Sequence, residues 1–474
     1  MTVAVNSFDV FDTLLARRSG SPEALLHRLE HESGVPGLAA ARRAADQALW
    51  HRGQPYLLAD LWQETGRALG LDAAQVQRLA DREIALEHAE VIPITENLAQ
   101  VRDGDLLVSD SYLPRDVVAS LLRQAGLDRA VALVVTNDGK ARGWVWPRLA
   151  AQVQIRRHLG NDPHADVRSP EAAGIPAELY PDAAPTPLER LLAAQGWPAL
   201  ALWVRQARLA NPFPAAQAAQ RQLWLLTCQH NVPLLYLASL LLEEYAAPQP
   251  VPALYFVSRD GWLWRRLYQA LFPHRPAHYL LTSRQCLLKP SADYLAYFRT
   301  TWRPGGIIVD LLSTGASWSR FFAGLGTRGR CFFLGRIDDY AYLPDAGPPE
   351  AWLDLHAVLR TSALGTPFTK AVELLNYAPH AGVEDVVWLA GQAALPVLAP
   401  TLEYAVALPE AAQACLDHCL GSLGHYPALR QPPPRPVVEL VRHLLRGICT
   451  DPRLPALYPG HLAADEVYLQ RLLG

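Results

Sequence analysis

Cysteine and methionine are scarce in this chain, and charged residues are few. Its 474 residues include six cysteines and one methionine, and 19% of them are charged. All six cysteines lie at or beyond position 228, without the spacing of a disulfide-bonded scaffold or of a structural zinc site. We therefore expect reduced thiols and a cytoplasmic location.

A strong charge of either sign is also missing. The formal net charge is -3, and the arginines are dispersed instead of forming a basic run. Because this balance offers no attraction for a polyanion, we expect no nucleic-acid partner. No basic leader precedes a long apolar segment and no run of about 18 uncharged apolar residues occurs, so we expect neither a signal peptide nor a membrane span. The oligomeric state is left open.

Apolar residues, by contrast, are abundant. Half of the chain is hydrophobic, and 13 tryptophans and 17 tyrosines supply bulky side chains for packed interiors. Because a single core stops growing near roughly 250 to 300 residues, this length predicts two domains. The proline-rich segment 181–187 interrupts regular structure. We place the boundary just after it, giving domains at 1–190 and 191–474.

The first domain is predicted to be a parallel α/β sheet with a helical insertion. Strand patterns alternate with helical ones, as in parallel α/β folds, at 3–8, 105–108, 131–135, before Gly160 and at 177–180. Apolar positions three and four residues apart predict helices from about Leu15 to residue 95. The sheet should therefore come from about 1–17 and 98–190, and the insertion from about 18–97.

The second domain is predicted to be another α/β unit. After helices that reach about residue 246, strand patterns occur at 253–258, 307–310 and 331–334, with helical spacers between them. From about residue 383 onward we predict a helical tail.

Asp9 is the first candidate for catalysis, because it follows the first predicted strand. Parallel sheets bind ligands beyond the carboxyl ends of their strands, and a carboxylate there can act as a nucleophile. The alternative is a purely structural role, since Asp and Thr residues spaced as Asp9, Asp12 and Thr13 also cap turns.

The segment Phe8–Leu15 resembles the first motif of the haloacid dehalogenase superfamily. The resemblance implies that Asp9 is the nucleophile, that Thr13 contacts the substrate, and that Mg2+ is held by Asp9 and by the backbone carbonyl of Phe11. Phosphatases of that superfamily carry a second aspartate, the general acid and base, at the position of Phe11. Here the carboxylate comes one residue later, so Asp12 is the candidate for that role, and turnover is expected to be slow.

Two further segments resemble the second and third motifs of the same superfamily. Ser109 follows an apolar strand pattern, and the resemblance implies that its hydroxyl and the adjacent backbone N–H groups hold phosphate oxygens. Asp110, the next residue, is a further candidate for substrate binding. Lys140 would balance the charge of nucleophile and phosphate, and it is the only lysine before residue 280. The alternatives are a helix N-cap for Ser109 and a solvated loop position for Lys140.

A fourth segment, Gly160–Asp166, resembles the acidic metal-binding motif, with Asn and Asp in exchanged order. Since Mg2+ prefers hard oxygen ligands, either Asp162 reaches the metal from a shifted position or Asn161 replaces it, and Asp166 orients the ligands. The same residues also form an ordinary turn signal. Together the four motifs cover about 190 residues, with the helical insertion where the superfamily places its C1 cap. The residues of these segments resemble most closely those of a bacterial branch of the superfamily that has a similar C-terminal extension. That branch is often associated with gene clusters for surface polysaccharides, which suggests sugar phosphates as substrates.

The second half contains a loop similar to the phosphate loop of phosphoribosyltransferases. Residues 307–317 read as a strand followed by a hydroxyl-rich turn, which suits anion binding but is also a common α/β connection. The candidate substrate-binding residues of this half are Arg259, Asp260, Arg284, Asp310, Thr314 and Gly315.

These observations predict an enzyme, a phosphohydrolase that acts on a small phosphorylated metabolite through a phosphoaspartate. Two alternatives remain. One is a metal-independent hydrolase acting at carbon, as in dehalogenases, which also carry an aromatic residue at the second position. The other is a phosphosugar-binding, nucleotide-binding or phosphoribosyltransferase-like module joined to a degenerate first domain.

Overall fold

The computed structural model describes residues 4–337, 348–360, 369–389, 393–400, 407–431 and 437–458. The chain divides into two compact units, Met1–Pro212 and Phe213–Gly474. The first unit thus extends beyond residue 190, because a buried arginine on a following helix is bonded back to it: Arg205 donates to the carbonyls of Arg17 and Ala183.

The first unit contains seven strands: β1 (Ala4–Phe8), β2 (Leu15–Arg17), β3 (Val91–Pro93), β4 (Leu106–Asp110), β5 (Ala132–Thr136), β6 (Gln154–Gly160) and β7 (Ala177–Leu179). Five of them form a sheet in the order β5-β4-β1-β6-β7, and every neighbouring pair is parallel. The predicted parallel α/β architecture is confirmed. With β1 in the centre, the carboxyl ends of β1, β4 and β6 meet at one edge.

The unit also contains ten helices: α1 (Pro22–Ser33), α2 (Leu38–His51), α3 (Leu58–Leu69), α4 (Ala73–Glu90), α5 (Thr95–Leu98), α6 (Arg115–Gln124), α7 (Val145–Ala150), α8 (Ser169–Ala172), α9 (Pro187–Ala194) and α10 (Pro198–Leu209). The first four form an insertion whose ends are joined by the antiparallel pair of β2 and β3. Local signals delimit them: the Ser21 hydroxyl caps α1, and Gly34, at φ 67°, ends it. Buried Leu29 and Trp62 of the insertion belong to the same hydrophobic core as Phe8 and Leu107 of the sheet.

The second unit contains another parallel sheet, in the order β12-β11-β10-β8-β9. Its strands are β8 (Leu254–Val257), β9 (Ala277–Leu280), β10 (Ile307–Ser313), β11 (Gly329–Arg336) and β12 (Leu353–Arg360). The helices up to this sheet's last strand are α11 (Ala218–Leu226), α12 (Val232–Ala246), α13 (Gly261–Leu271), α14 (Arg284–Leu288), α15 (Ala292–Thr301) and α16 (Ala316–Gly324). The predicted second α/β unit is therefore confirmed.

The prediction of helix from residue 383 onward is wrong at its start. Two antiparallel strands, β13 (Val383–Leu389) and β14 (Ala393–Leu398), form a hairpin there. Five residues of 383–389 are Val, Leu or Trp, which favour strands, and only tertiary pairing separates this pattern from a helical one. The helical tail follows, and the further α-helices among the described residues of this unit are α17 (Thr369–Asn376), α18 (Ala407–Ser422), α19 (Val438–Cys449) and α20 (Arg453–Leu457).

One helical stretch, Ala215–Ala246, is long and apolar enough to cross a membrane by length and composition alone. Of its most apolar window, 72% is buried inside the protein. A buried core helix passes the same test of length and composition, so this stretch is only weak evidence for a membrane span.

Candidate active site in the first unit

Asp9 lies at the carboxyl end of the central strand β1. Its backbone N–H donates to the carbonyl of Leu159 on β6 at 2.8 Å, which fixes the start of the loop between two parallel strands. The side chain is only 5% exposed. Burial raises the pKa of the carboxyl group, and Lys140 and Thr13 act in the opposite direction by stabilising the carboxylate.

Lys140 binds two carboxylates at once. Its ammonium group contacts Asp9 Oδ1 and lies 2.6 Å from Asp166 Oδ1, and all three residues are buried. Burial alone would raise the pKa of Asp166, but the charge of Lys140 and a hydrogen bond from His158 hold it below its usual range. The structure thus makes Asp166 a permanent counter-ion that fixes Lys140 beside Asp9.

Three oxygen-bearing groups converge next to this pair. The Thr13 hydroxyl donates to Asp9 Oδ2 at 2.9 Å. The terminal amide group of Asn161 lies 3.2 Å from the same Oδ2 and 3.1 Å from the carbonyl oxygen of Phe11. With its nitrogen facing these two oxygens, the amide donates a hydrogen bond to each of them. With its oxygen facing them, three oxygens lie together and could bind one cation.

The second arrangement fits Mg2+. Ligands of an octahedral ion bound at about 2.1 Å are separated by about 3 Å along each edge, which is close to the 3.2 and 3.1 Å between the Asn161 amide and the oxygens of Asp9 and Phe11. A carboxylate, a carbonyl and an amide oxygen are also the hard donors that Mg2+ prefers. The described residues contain no group of three His, Cys, Asp or Glu side chains suited to a metal, so a metal centre here has to include neutral oxygens.

The two acidic residues of the fourth motif have different positions. Asp162 is exposed, and its Oδ1 accepts hydrogen bonds from the backbone N–H groups of His164 and Ala165 at 2.7 and 2.8 Å, so it caps a helical turn. Of the two ligands predicted as alternatives, the structure therefore brings Asn161 to Asp9 and turns Asp162 away. Asp166 contacts Lys140 instead of the oxygen cluster.

Ser109 and Asp110 end strand β4, beside β1. The pairing of Phe8 with Leu107 places Ser109 at the same edge of the sheet as the Asp9 loop. The Ser109 hydroxyl is fully buried and has no hydrogen-bond partner within the described parts of the chain. Because a buried hydroxyl normally finds a partner, this one is suited to a bound anion.

Asp110 has a supporting position. Its carboxylate accepts hydrogen bonds from the backbone N–H groups of Lys140 and Ala141 at 3.0 Å, and from the hydroxyl of Thr136. These contacts occupy both carboxylate oxygens and hold the loop that carries Lys140. The predicted substrate contact of Asp110 is replaced by this positioning role in the structure.

Asp12 is turned away from Asp9. It adopts a left-handed backbone conformation, with φ at 57°, and its Oδ1 lies 3.3 Å from Nη2 of Arg205. The ring of Phe11 occupies the second position of the motif, and the guanidinium group of Arg17 lies 4.5 Å from the ring centroid. The pattern of residues around Asp9 gave no sign of Arg205, because it comes from a helix almost 200 positions later.

A cleft in the second unit

The candidate residues of the second unit meet in a cleft of about 310 Å³ at the carboxyl ends of β8 and β10. The cleft is lined by five of the six predicted residues, Arg259, Asp260, Arg284, Asp310 and Thr314, and Gly315 lies in the turn behind them. Glu373 on α17 and Tyr377, which follows that helix, also line the cleft. The sequence pattern did not indicate either residue, because nothing local marks them as neighbours of β10.

The cleft is acidic, and its phosphate-loop-like turn is already hydrogen-bonded. Burial and the charges of Asp260 and Glu373 raise the pKa of Asp310 well above its usual value. The hydroxyls of Ser313 and Thr314 accept hydrogen bonds at 3.2 Å from the next two backbone N–H groups, those of Gly315 and Ala316. These two groups are therefore not free to hold a phosphate.

A comparison of the chain with models of protein families finds no match, and a comparison with curated proteins finds none either.

Proposed function

We propose that the first unit is a Mg2+-dependent phosphohydrolase of the haloacid dehalogenase type, acting on a small phosphorylated metabolite. The observation that carries the proposal is the position of the Asn161 amide, 3.2 Å from Asp9 Oδ2 and 3.1 Å from the Phe11 carbonyl oxygen, with Lys140 beside the nucleophile. A structural turn would not need a buried lysine shared between two buried carboxylates.

In the proposed reaction the Asp9 carboxylate attacks phosphorus and forms a phosphoaspartate, while the bond to the leaving oxygen breaks. Lys140 offsets the negative charge that accumulates on the phosphoryl oxygens, and Asp166 holds the ammonium group in place. The hydroxyl of Ser109 donates a hydrogen bond to one phosphoryl oxygen. Water then attacks the phosphoaspartate and releases phosphate.

Mg2+ would be held by Asp9 Oδ2, the Phe11 carbonyl and Asn161. When bound, it supplies positive charge that polarises the phosphoryl group. In this proposal the helical insertion, α1 to α4, is a C1 cap that selects the substrate, and a sugar phosphate is the expected class. The chain is expected to work in the cytoplasm, where its six cysteines, free thiols in the structure, stay reduced.

The test uses two matched variants of adjacent residues, Asn161→Ala and Asp162→Asn. We expect Asn161→Ala to weaken Mn2+ binding, measured by electron paramagnetic resonance, and to lower phosphate release from a panel of phosphorylated metabolites. Asp162→Asn keeps a helix-capping side chain and should change neither. Asp9→Asn should abolish phosphate release, so release that survives in this variant would contradict the proposal.

The metal-independent alternative predicts a different outcome. A hydrolase acting at carbon would release halide from haloacids and would keep its activity in EDTA. The proposed phosphohydrolase is inactive in EDTA and recovers when Mg2+ is restored. The same panel, measured with and without chelator, separates the two reactions.

A second candidate function is favoured by the cleft of the second unit. We propose that it binds the sugar part of a small metabolite such as a phosphosugar or nucleotide, with Asp260 and Asp310 accepting hydrogen bonds from the sugar hydroxyls. A thermal-shift screen should give ligands whose effect is lost in Asp310→Asn and kept in Asp9→Asn. Ligands lost only in Asp9→Asn would remove this candidate.

A further inference from the structure

The position two residues after the nucleophile carries no proton donor. Phe11 fills it with a hydrocarbon ring that packs under the Arg17 guanidinium, and Arg17 in turn donates two hydrogen bonds to Glu87 at 2.8 and 2.9 Å. A guanidinium group keeps its proton at any physiological pH. Neither side chain can therefore protonate a departing oxygen.

The next carboxylate along the chain is fixed in another direction. Asp12 is paired with Arg205, which is 5% exposed at its side chain and also donates to the carbonyls of Arg17 and Ala183. Three contacts to separate groups hold this guanidinium still. To bring Asp12 to Asp9, the loop would have to leave the left-handed conformation and break the ion pair.

The side chains in contact with Asp9 are also held by hydrogen bonds or ion pairs. They are Thr13, which donates to the carboxylate, Lys140, which is shared with Asp166, and the Asn161 amide. This set can bind and orient a phosphoryl group. It contains no carboxylic acid or imidazole that faces the leaving oxygen.

The missing donor affects the two chemical steps unequally. General acid catalysis of leaving-group departure contributes about a hundredfold to ten-thousandfold. An alkoxide needs that proton, whereas a carboxylate or a phosphate is stable as an anion and leaves without one. In the second step, water attacks the phosphoaspartate without a general base, so this step is slow for every substrate.

We propose that the site uses anhydrides of phosphoric acid, such as acyl phosphates, rather than alkyl phosphate esters, and that its phosphoaspartate is long-lived. The inference rests on the proposed phosphoaspartate chemistry. In the first step the Asp9 oxygen–phosphorus bond forms, the phosphorus–oxygen bond to the leaving carboxylate breaks with its electron pair, and no proton moves. In the second step a water oxygen replaces Asp9 on phosphorus and its proton goes to solvent.

The test compares the wild-type full chain with two variants, Phe11→Asp and Phe11→Asn. Asparagine is the polar control, because it has the size of aspartate but no carboxyl proton to donate. Each is mixed with Mg2+ and acetyl phosphate, p-nitrophenyl phosphate or glycerol 3-phosphate. Intact-mass spectrometry measures the phosphorylated fraction, and phosphate release measures turnover. Circular dichroism shows whether each variant is folded.

The wild-type chain should accumulate one phosphoryl group on Asp9 from acetyl phosphate, react more slowly with the aryl ester, and leave the alkyl ester almost untouched. Phe11→Asp should gain alkyl ester hydrolysis by on the order of a hundredfold and lose the accumulated phosphoaspartate. Phe11→Asn should show neither of these two changes. Asp12→Asn should keep the wild-type order of substrates, whereas a larger loss with the alkyl ester would identify Asp12 as the proton donor and overturn the inference.

Two kinds of failure are distinguishable. If no donor phosphorylates Asp9 and no phosphate is released with Mg2+, the proposed function itself is wrong. If alkyl and acyl phosphates react at similar rates and no phosphoaspartate accumulates, the proposed function stands and this inference is overturned. Nucleoside diphosphates, tested as a further donor, show whether phosphoanhydrides are used as well as acyl phosphates.

Discussion

Arg42 and Glu83 form a buried ion pair inside the helical insertion, and its removal should unfold the first unit at much lower denaturant concentration. Arg42 is 1% exposed and Glu83 is fully buried. At their separation of 3.0 Å and an effective dielectric constant of about 20, two unit charges attract each other by roughly 5 kcal/mol. Because breaking a buried pair also leaves one charge without a partner, we expect Arg42→Met to cost about 3 to 5 kcal/mol.

Glu83 has a second partner, Trp62, which makes this expectation more specific. Glu83 also accepts a hydrogen bond from the indole N–H of Trp62 at 2.7 Å, and a glutamine at this position still offers an oxygen to that indole. We therefore expect the double variant, Arg42→Met with Glu83→Gln, to be more stable than Arg42→Met alone. The coupling energy of the two substitutions should be about 2 kcal/mol or more.

The assay is native-state hydrogen exchange of peptides from α2 and α4, because a chain with two compact units need not unfold in one step. The neighbouring Arg43 supplies a matched control: it pairs with Glu23 at 3.1 Å, but both side chains are exposed. Arg43→Met should cost at most about 1 kcal/mol. Equal losses for Arg42→Met and Arg43→Met, or a coupling energy near zero, would refute the reasoning.

Two further predictions concern other parts of the chain. Burial lowers the pKa of His230 to about 4, despite Asp451 nearby, so between pH 6.5 and 4 the unfolded chain binds a proton that the folded one does not. The second unit should therefore lose about 2 kcal/mol on going from pH 7 to pH 5, a loss that urea titrations should find reduced in His230→Gln. A Cβ at Gly160 would lie 2.3 Å from Cγ of Asp166, so Gly160→Ala should displace this carboxylate and abolish Mg2+-dependent phosphate release, measured in the same assay. Gly324→Ala, where a Cβ meets nothing within 4 Å, should leave release unchanged, and equal effects of the two would contradict the prediction.

The strands and the positions of the motifs were predictable because they depend on local patterns. The strand expected at 3–8 is Ala4–Phe8, and the one expected at 253–258 is Leu254–Val257. Asp9, Ser109 and Lys140 all lie at one edge of the first sheet because parallel strands bring their carboxyl ends together. Local sequence was thus sufficient to predict that these three residues lie near one another.

The fine structure of the site was not predictable, because it depends on partners far away along the chain. Whether Asp12 faces Asp9 is decided by Arg205, and whether Asp110 meets a ligand is decided by the backbone of the Lys140 loop. The choice between Asn161 and Asp162 depends on which of the two caps the next helical turn. Each of these outcomes requires a contact between elements that the sequence pattern treats separately.

The charges of the first site bear on the divalent cation that the proposed reaction uses. With Asp9 ionised, as the proposed attack requires, Asp9 and Asp166 each carry one negative charge and Lys140 carries one positive charge, while burial lowers the pKa of His158, which stays neutral near pH 7. The buried cluster thus has one net negative charge and repels a phosphoryl dianion. Lys140 cannot correct this, because it is shared with Asp166. The proposed function therefore requires that the phosphoryl group and Mg2+ favour each other's binding by the same factor, since coupling between two ligands is reciprocal.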